Sequence, residues 1–340
     1  MQRRNATSKR ATVHDVAAAA GVSRGTVSRF LHGGYVSTAA RDAIETAITE
    51  TGYVPNTAAR NLVTQRSQAV GFIVLEPQGQ LLEDPNIGAI MLGANAVFSA
   101  ADYQMVNLVV DSARDLARIA KYLMGGFVDG VIIVSARAHD PITRIVTEMA
   151  LPATFVGHPP DLGRDVPYVG IDNVGSARAI TERLAATGRR RIGMIAAALD
   201  RDSGADRLLG FQLALGERLD ARLVAKVRYY DYVSGMHGMR VLLDREPRID
   251  GVVAASDFVA AGALQVLREA GRVVPEDVGI VGFDDSPWAQ RTSPALSTVH
   301  QPANELGARA ADLVLRQLRG APFEPGGILL PTPVVWRASA

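Results

Sequence analysis

The chain contains no cysteine, so disulfides and thiolate metal sites are excluded. No apolar run approaches the ~20 residues a membrane-spanning helix needs. His14, His32, His139, His158, His237 and His300 are scattered, without HExxH or another paired ligand spacing, and no metal or other cofactor is expected. No G-x-G-x-x-G follows the first β-rich run and no Walker motif occurs, which argues against a nucleotide site. The opening MQRRNATSKR is basic, but polar residues follow it where a secretory signal would turn apolar. A cytoplasmic, soluble protein that does not engage membrane is expected.

What is present is a chain of 340 residues, 48% of them hydrophobic, enough for two or three domains with a buried core. Its net charge of +1 conceals an asymmetry. Residues 1–66 hold nine Arg and Lys against four acids, and the remainder carries an excess of four acids. A basic head on a mildly acidic body points to a polyanionic partner for the head, although a solvated tail has the same composition.

Within that head, Thr12 can cap a helix whose Val13, Val16, Ala17 and Ala20 share one face. Gly21 supplies a C-terminal stop, Val22 turns inward, and Ser23 can cap a second helix that buries Val27, Phe30 and Leu31. Small alanines let two helices cross closely over a short turn, as a helix-turn-helix requires. Ser37 opens a third helix, with Ala40, Ala43, Ile44, Ala47 and Ile48 inward, ended by Gly52. On a DNA reading, the second helix enters the major groove. Arg24 and Arg29 then offer bidentate bonds to guanine, and Thr26 and Ser28 reach phosphates or bases. A three-helix bundle with a charged outer face has the same periodicity. "PNTAARNLVTQRS" follows, with Pro55, Asn56 as a possible cap and about two helical turns, too short to persist alone in water.

From Ala69 onward, short β-rich runs alternate with helical ones. Strands are expected in AVGFIVLE, YQMVNLVV, VDGVIIVS, PATFVGH, YVGID, RIGMIAA, VRYYD, DGVVAAS and VGIVGFDD. Helices are expected over 87–101, 113–124, 142–150 and 174–187. This alternation implies parallel sheets covered by helices. FVDGVIIVS and RIDGVVAAS are alike, which indicates two similar halves facing each other across a cleft at their strand ends. Asn173, in GIDNVGSA, reads as a helix cap rather than a ligand group. Residues 306–318 place Leu306, Ala310, Leu313, Val314 and Leu318 in helical register, as dimer or core surface.

TVHDVAAAAGVSRGTVSRFLHG, followed by VSTAARDAIETAITETGYVPNTAARNL, resembles the headpiece and hinge of the lactose-repressor (LacI/GalR) family of bacterial transcription regulators. The elements D-V-A, A-G-V-S, T-V-S-R and G-Y-x-P-N stand in order. The likeness continues through GIDNVGSARAITERLAATGRRRIGMI, DRLLGFQLAL, ASDFVAAGALQVLREAGRVVPEDVGIVGFDDSPWA and SPALSTVHQP, covering nearly the whole chain. It implies an α/β protein: an N-terminal all-α helix-turn-helix headpiece and a periplasmic-binding-protein-like core of two doubly wound parallel-sheet subdomains. The implied division is a basic tail at 1–11, headpiece at 12–54, hinge at 55–67 and core at 68–340. Within the core, an N-subdomain takes about 68–170 plus 300–328, and a C-subdomain about 171–299 plus 329–340.

The resemblance also implies roles. Arg24, Gly25 and Arg29 read bases, while Thr12, Ser23, Thr26, Ser28, Ser37, Tyr53 and Asn56 anchor phosphates. His32 stands where relatives often carry Asn. Leu62 is the minor-groove wedge of a hinge that becomes helical on operator DNA beside its twin. In the core, Arg207 holds effector oxygens and Asp257 accepts sugar hydroxyls. Phe283 and Asp284 end a strand at the cleft, and Tyr232 supplies an aromatic face; Asp284 and Asp285 equally suit caps of the next turn. Departures occur at EDPNIGAI, where Asp84 and Asn86 make the wall polar, at VGHPP, with Gly157 and His158 at the cleft, and at Arg189 in TGRRRI.

The expected protein is a homodimeric repressor of a pseudo-palindromic double-stranded operator, controlled by a small carbohydrate-like effector, with induction preferred over corepression. A nucleobase, a phosphosugar or a protein corepressor is the alternative signal. A solute-binding protein would need an export signal and no helix-turn-helix. An enzyme is disfavoured because Asp284, Asp285 and His300 come with no nucleophile motif or metal spacing.

Overall fold

The computed structural model describes residues 11–31, 33–54, 66–76, 78–159, 166–321 and 327–340. The chain divides into two units, residues 1–67 and 68–340.

In the first unit, α1 (Val13–Ala20), α2 (Arg24–Leu31) and α3 (Thr38–Thr51) form a three-helix unit. The Asp15 carboxylate accepts from the Thr12 backbone N–H at 2.8 Å and from the Thr12 hydroxyl at 2.7 Å, fixing the start of α1. Gly21, at φ 65°, ends it in the left-handed conformation, and Val22 N–H returns to the Ala17 carbonyl at 3.1 Å. The first turn of α2 is capped by Ser23, whose Oγ accepts from the Thr26 N–H at 3.1 Å. Val16, Ala17, Val27, Ile44, Ala47 and Tyr53 make the core of the unit.

The second unit holds two parallel sheets. The first contains β1 (Ala69–Val74), β2 (Gln104–Val109), β3 (Gly130–Val134), β4 (Ala153–Val156), β5 (Tyr168–Ile171) and β11 (Ile328–Leu330), in the order β11-β5-β4-β3-β1-β2. The second contains β6 (Ile192–Ala197), β7 (Val224–Val227), β8 (Gly251–Ala254) and β9 (Gly279–Val281), in the order β7-β6-β8-β9. Every residue of β1, β3, β5, β6 and β8 is buried, so these strands read as continuous apolar runs, as helix-covered parallel strands do. The order reverses beside β1 in one sheet and beside β6 in the other, where the loops splay apart and leave a crevice. β10 (Thr298–Val299) and β12 (Val334–Val335) pair antiparallel, and Ser297, just before β10, bridges Val281 of β9.

Two sequence expectations shift. Strand β7 ends at Val227, the first residue of the expected VRYYD run and four short of its end, so residues 228–230 form the loop at its carboxyl end. Ile171, Leu329 and Leu330 belong to the first sheet, where β11 runs parallel to β5 with Leu330 opposite Ile171. The chain therefore passes between halves one or two residues later than expected. The helix Ala303–Leu318 buries Leu306, Ala310 and Val314 against the core, leaving Leu313 and Leu318 partly buried beside it.

Candidate functional site

In the headpiece, Arg24, Gly25, Ser28 and Arg29 are exposed on α2, whereas its Val27 is buried. Ser23 and Thr26 are tied to each other, their hydroxyl oxygens 2.9 Å apart, which orients both at the start of this helix. Ser37 caps α3 through Ala40 N–H at 3.3 Å. Tyr53, expected at a phosphate, is 8% exposed, and its ring is part of the core that holds the helices together. His32, Asn56 and Leu62 lie outside the described residues.

In the core, the strand ends surround a cavity of about 100 Å³. Arg207 is its central charge. It sits on the helix Asp202–Leu215, and all three of its nitrogens are held. Nε donates to Asn173 Oδ1 at 3.0 Å, Nη1 to the Ala255 carbonyl at 2.7 Å and Nη2 to Gln301 Oε1 at 3.1 Å. Asp284 Oδ1 stands 3.3 Å from Nη2. Such bracing fixes the guanidinium plane and leaves its remaining N–H bonds to a ligand.

Asp84, Asn86, Arg207 and Asp284, four of the expected effector residues, line this cavity. Asp84 caps the helix Pro85–Ala100 by accepting from Asn86 N–H at 2.8 Å. Burial pushes the Asp84 and Asp202 carboxyls above the usual carboxylate range, and burial raises Asp284 well above it although Arg207 opposes the shift. Ser135 (φ 62°), Ala198 (φ 48°) and Asp284 (φ 109°) all follow strand ends in conformations unfavourable to non-glycine residues. Backbone strain thus gathers where side chains must be aimed across the cleft.

Five expectations need correction. Tyr232 does not line the cavity; Tyr230 does. Because β7 ends early, Tyr230 lies in the loop, and Tyr232 begins the helix Tyr232–Arg245, its ring 6.2 Å from Phe258. Asp257 is fully buried but lies beneath the cleft, accepting from Ser286 N–H at 2.7 Å and from the Thr298 hydroxyl at 2.6 Å. It clamps two segments together and does not line the cavity. His158 turns its ring edge-on to Tyr168 (5.6 Å) and does not line the cavity, while its backbone N–H donates across the cleft to Asp202 Oδ2 at 2.6 Å. Gly157 makes that crossing possible: its φ is +86°, and a Cβ there would lie 2.9 Å from the same oxygen. Asn173 is not the cap of its helix. Asp172 caps it through Gly175 N–H at 2.8 Å, which frees the Asn173 amide for Arg207. Phe283 lies beneath the site instead of lining it, its ring centroid 3.6 Å from the Arg207 guanidinium carbon.

Sequence inspection missed a buried ion pair. Arg201 binds both carboxylate oxygens of Glu76, Nη2 to Oε2 at 2.7 Å, from opposite halves of the core. Arg137 adds bonds to Glu76 (3.4 Å) and Asp200 (3.0 Å). Arg201 Nε is buried without a hydrogen-bond partner among the described residues, and Arg201 lines the cavity. No local signal joins residues 125 positions apart; the only cue was their position after β-rich runs.

Residues 12–56 match the family model for bacterial regulatory proteins of the lacI family, and residues 181–340 match a periplasmic binding protein-like domain. Over 336 residues the chain is 41% identical to the HTH-type transcriptional regulator CelR of Thermobifida fusca, covering 97% of this chain and 98% of that one. It is 31% identical over 339 residues to the HTH-type transcriptional repressor CytR of Escherichia coli (strain K12), covering 97% and 96%. Among solved structures it is similar to a transcriptional regulator CelR–cellobiose complex (TM-score 0.78, 39% identity, 97% of this chain and 100% of that one). The lac repressor dimer bound to operator and the anti-inducer ONPF shares the fold (TM-score 0.86, 24% identity, 97% and 99% coverage). Among the described residues no helix is long and apolar enough to cross a membrane. An exposed arginine-bearing helix of a helix-turn-helix, a two-sheet core with a charged cleft and relatedness along nearly the whole length converge: the chain belongs to the lacI family of bacterial regulatory proteins and is a DNA-binding transcriptional regulator.

Proposed function

We propose that the protein acts as a homodimeric repressor whose two headpieces grip a pseudo-palindromic operator, and that a small saccharide of the cellobiose class, bound in the core, releases them. It works in the cytoplasm by binding alone, without turnover. Arg24, Gly25 and Arg29 read bases, and Thr12, Ser23, Thr26, Ser28 and Ser37 hold phosphates. Residues 55–67 serve as the hinge between the two units.

The observation that carries the saccharide reading is the lining of the cleft. Two guanidinium groups, Arg201 and Arg207, face three carboxyls, Asp84, Asp202 and Asp284, and the amides Asn86, Asn173 and Gln301. Hydroxyls both donate and accept, so a polyol satisfies such a mixed wall, whereas a phosphosugar would meet three acidic groups. Similarity to the regulator solved with cellobiose supports the same class. Both halves contribute to the lining, so a ligand that binds one relative arrangement better shifts the equilibrium between them.

The test combines calorimetry and fluorescence anisotropy on the full chain. Genome-wide mapping of bound DNA supplies the operator. Cellobiose is expected to bind and to weaken operator affinity, whereas ribose, cytidine and glucose 6-phosphate leave it unchanged. A response to the nucleoside or phosphosugar alone would replace the saccharide assignment, and tightening by cellobiose would make it a corepressor.

A further inference from the structure

Resting on the saccharide reading above, we propose that the effector site continues past the Glu76–Arg201 pair into a second subsite, which takes the further rings of a β-linked gluco-oligosaccharide. Beyond that pair lies a cavity of about 450 Å³. Leu75, Val110 and Leu116 form apolar wall, while Asp111, Arg137 and Tyr229 present polar and aromatic groups.

The two cavities are neighbouring compartments of one cleft. The loop after β3 gives Ser135 to the inner cavity and Arg137 to the outer. The loop after β7 gives Tyr230 to the inner and Tyr229 to the outer. Arg201 lines the inner, and its partner Glu76 lines the outer. At this point the partition is a pair of side chains, which can swing aside or bond a ligand passing between them.

Size separates the tasks. The inner space of about 100 Å³ equals roughly three waters at ~30 Å³ each. Small-molecule sites run to ~300–1,000 Å³, a range that only the outer cavity reaches. The inner compartment falls well short of that range, so a disaccharide cannot be housed there whole and must place at least one ring in the outer space. The chemistry there suits a sugar: the half-buried Tyr229 offers an aromatic surface for the C–H face of a pyranose, Asp111 accepts hydroxyl protons, and Arg137 donates.

Calorimetry on the full chain with glucose, cellobiose and cellotriose tests this. The wild type is expected to bind cellobiose at least about tenfold more tightly than glucose. Tyr229→Ala should weaken cellobiose and cellotriose by about tenfold and change glucose by less than about twofold. Asp111→Asn, at an exposed position that does not support the fold, should act in the same direction by about threefold and answers the question if Tyr229→Ala misfolds. Equal losses for all three sugars, no loss in either folded variant, or glucose binding as tightly as cellobiose overturns the subsite while leaving the saccharide reading intact. Absence of binding by every one of these sugars overturns that reading, and the subsite with it.

Discussion

The guanidinium carbon of Arg207 sits 3.6 Å from the centroid of the Phe283 ring, so the arginine is clamped between an aromatic face below and the cavity above. Phe283 is 2% exposed. A desolvated cation–π contact of this kind contributes about 2 kcal/mol and, more usefully, fixes the plane in which Nη2 meets Gln301 and Asp284.

Arg207→Ala is therefore expected to abolish the effector-dependent change in operator affinity while leaving operator binding itself intact. Breaking a buried pair commonly costs 3–5 kcal/mol; about 3 is expected here, because burial already raises the Asp284 carboxyl, which eases its protonation once the arginine is gone. Arg207→Lys should also fail to respond, since an ammonium cannot hold Asn173, Ala255 and Gln301 together in one plane. Anisotropy titrations with and without cellobiose, alongside urea denaturation, separate these effects.

Gly93 and Gly307 pack the helices Pro85–Ala100 and Ala303–Leu318 backbone to backbone. A Cβ on Gly93 would collide with the Asn304 carbonyl, its carbon only 2.8 Å away, and one on Gly307 would collide with the Ile90 carbonyl, its carbon 2.7 Å away. Neither obstacle is a side chain that can rotate. Gly93→Ala should destabilise the core by about 2–3 kcal/mol, measured by chemical denaturation, although alanine is the better helix former. An unchanged midpoint would mean that these helices slide apart freely.

Much of this architecture was legible because parallel sheets write themselves plainly. A strand such as Ala69–Val74, buried on both faces, is a continuous apolar run, and the capping residues Thr12, Ser23 and Ser37 mark helix starts. The cleft was legible only in part. Family resemblance led to Arg207, but which tyrosine faces the cavity depended on where β7 ends, and YYDY offered three candidates in four positions. Asp257 was misplaced for a related reason: sequence shows that it opens a helix, not that Ser286 and Thr298 wait beneath it. The Glu76–Arg201 bridge was invisible, since pairing across 125 residues leaves no local trace.

For the headpiece, Arg29→Ala should reduce the preference for operator over random DNA by about 10- to 100-fold, the worth of one bidentate base contact of ~1–3 kcal/mol. Salt titration distinguishes base reading from phosphate binding. Loss of a base contact leaves the slope of log affinity against log salt unchanged, whereas loss of a phosphate contact lowers its magnitude by about 0.9. Sugar binding by the core should be unaffected.

The pH dependence of stability should bear the mark of Asp257. Burial raises its carboxyl to about 7 in the folded protein, against hydrogen bonds from Thr298 and Ser286 that favour the ionised form. An unfolded aspartate titrates near ~3.9. Between those values the folded chain keeps a proton that the unfolded chain has released, so the contribution is present in full below about pH 4 and is lost as pH rises through about 7. Asp257→Asn removes this titration. The variant should be the weaker protein at pH 5, having exchanged one acceptor for a donor, and should recover about 1–3 kcal/mol relative to wild type by pH 8. Urea denaturation at the two pH values measures the difference directly. Asp84, Asp202 and Asp284 shift in the same direction but remain in both proteins, so their contributions cancel except where the variant alters their neighbours. A gap between wild type and variant that is constant from pH 5 to 8 would mean that Asp257 is ionised throughout, with the Ser286 N–H and Thr298 hydroxyl sufficient to hold its charge.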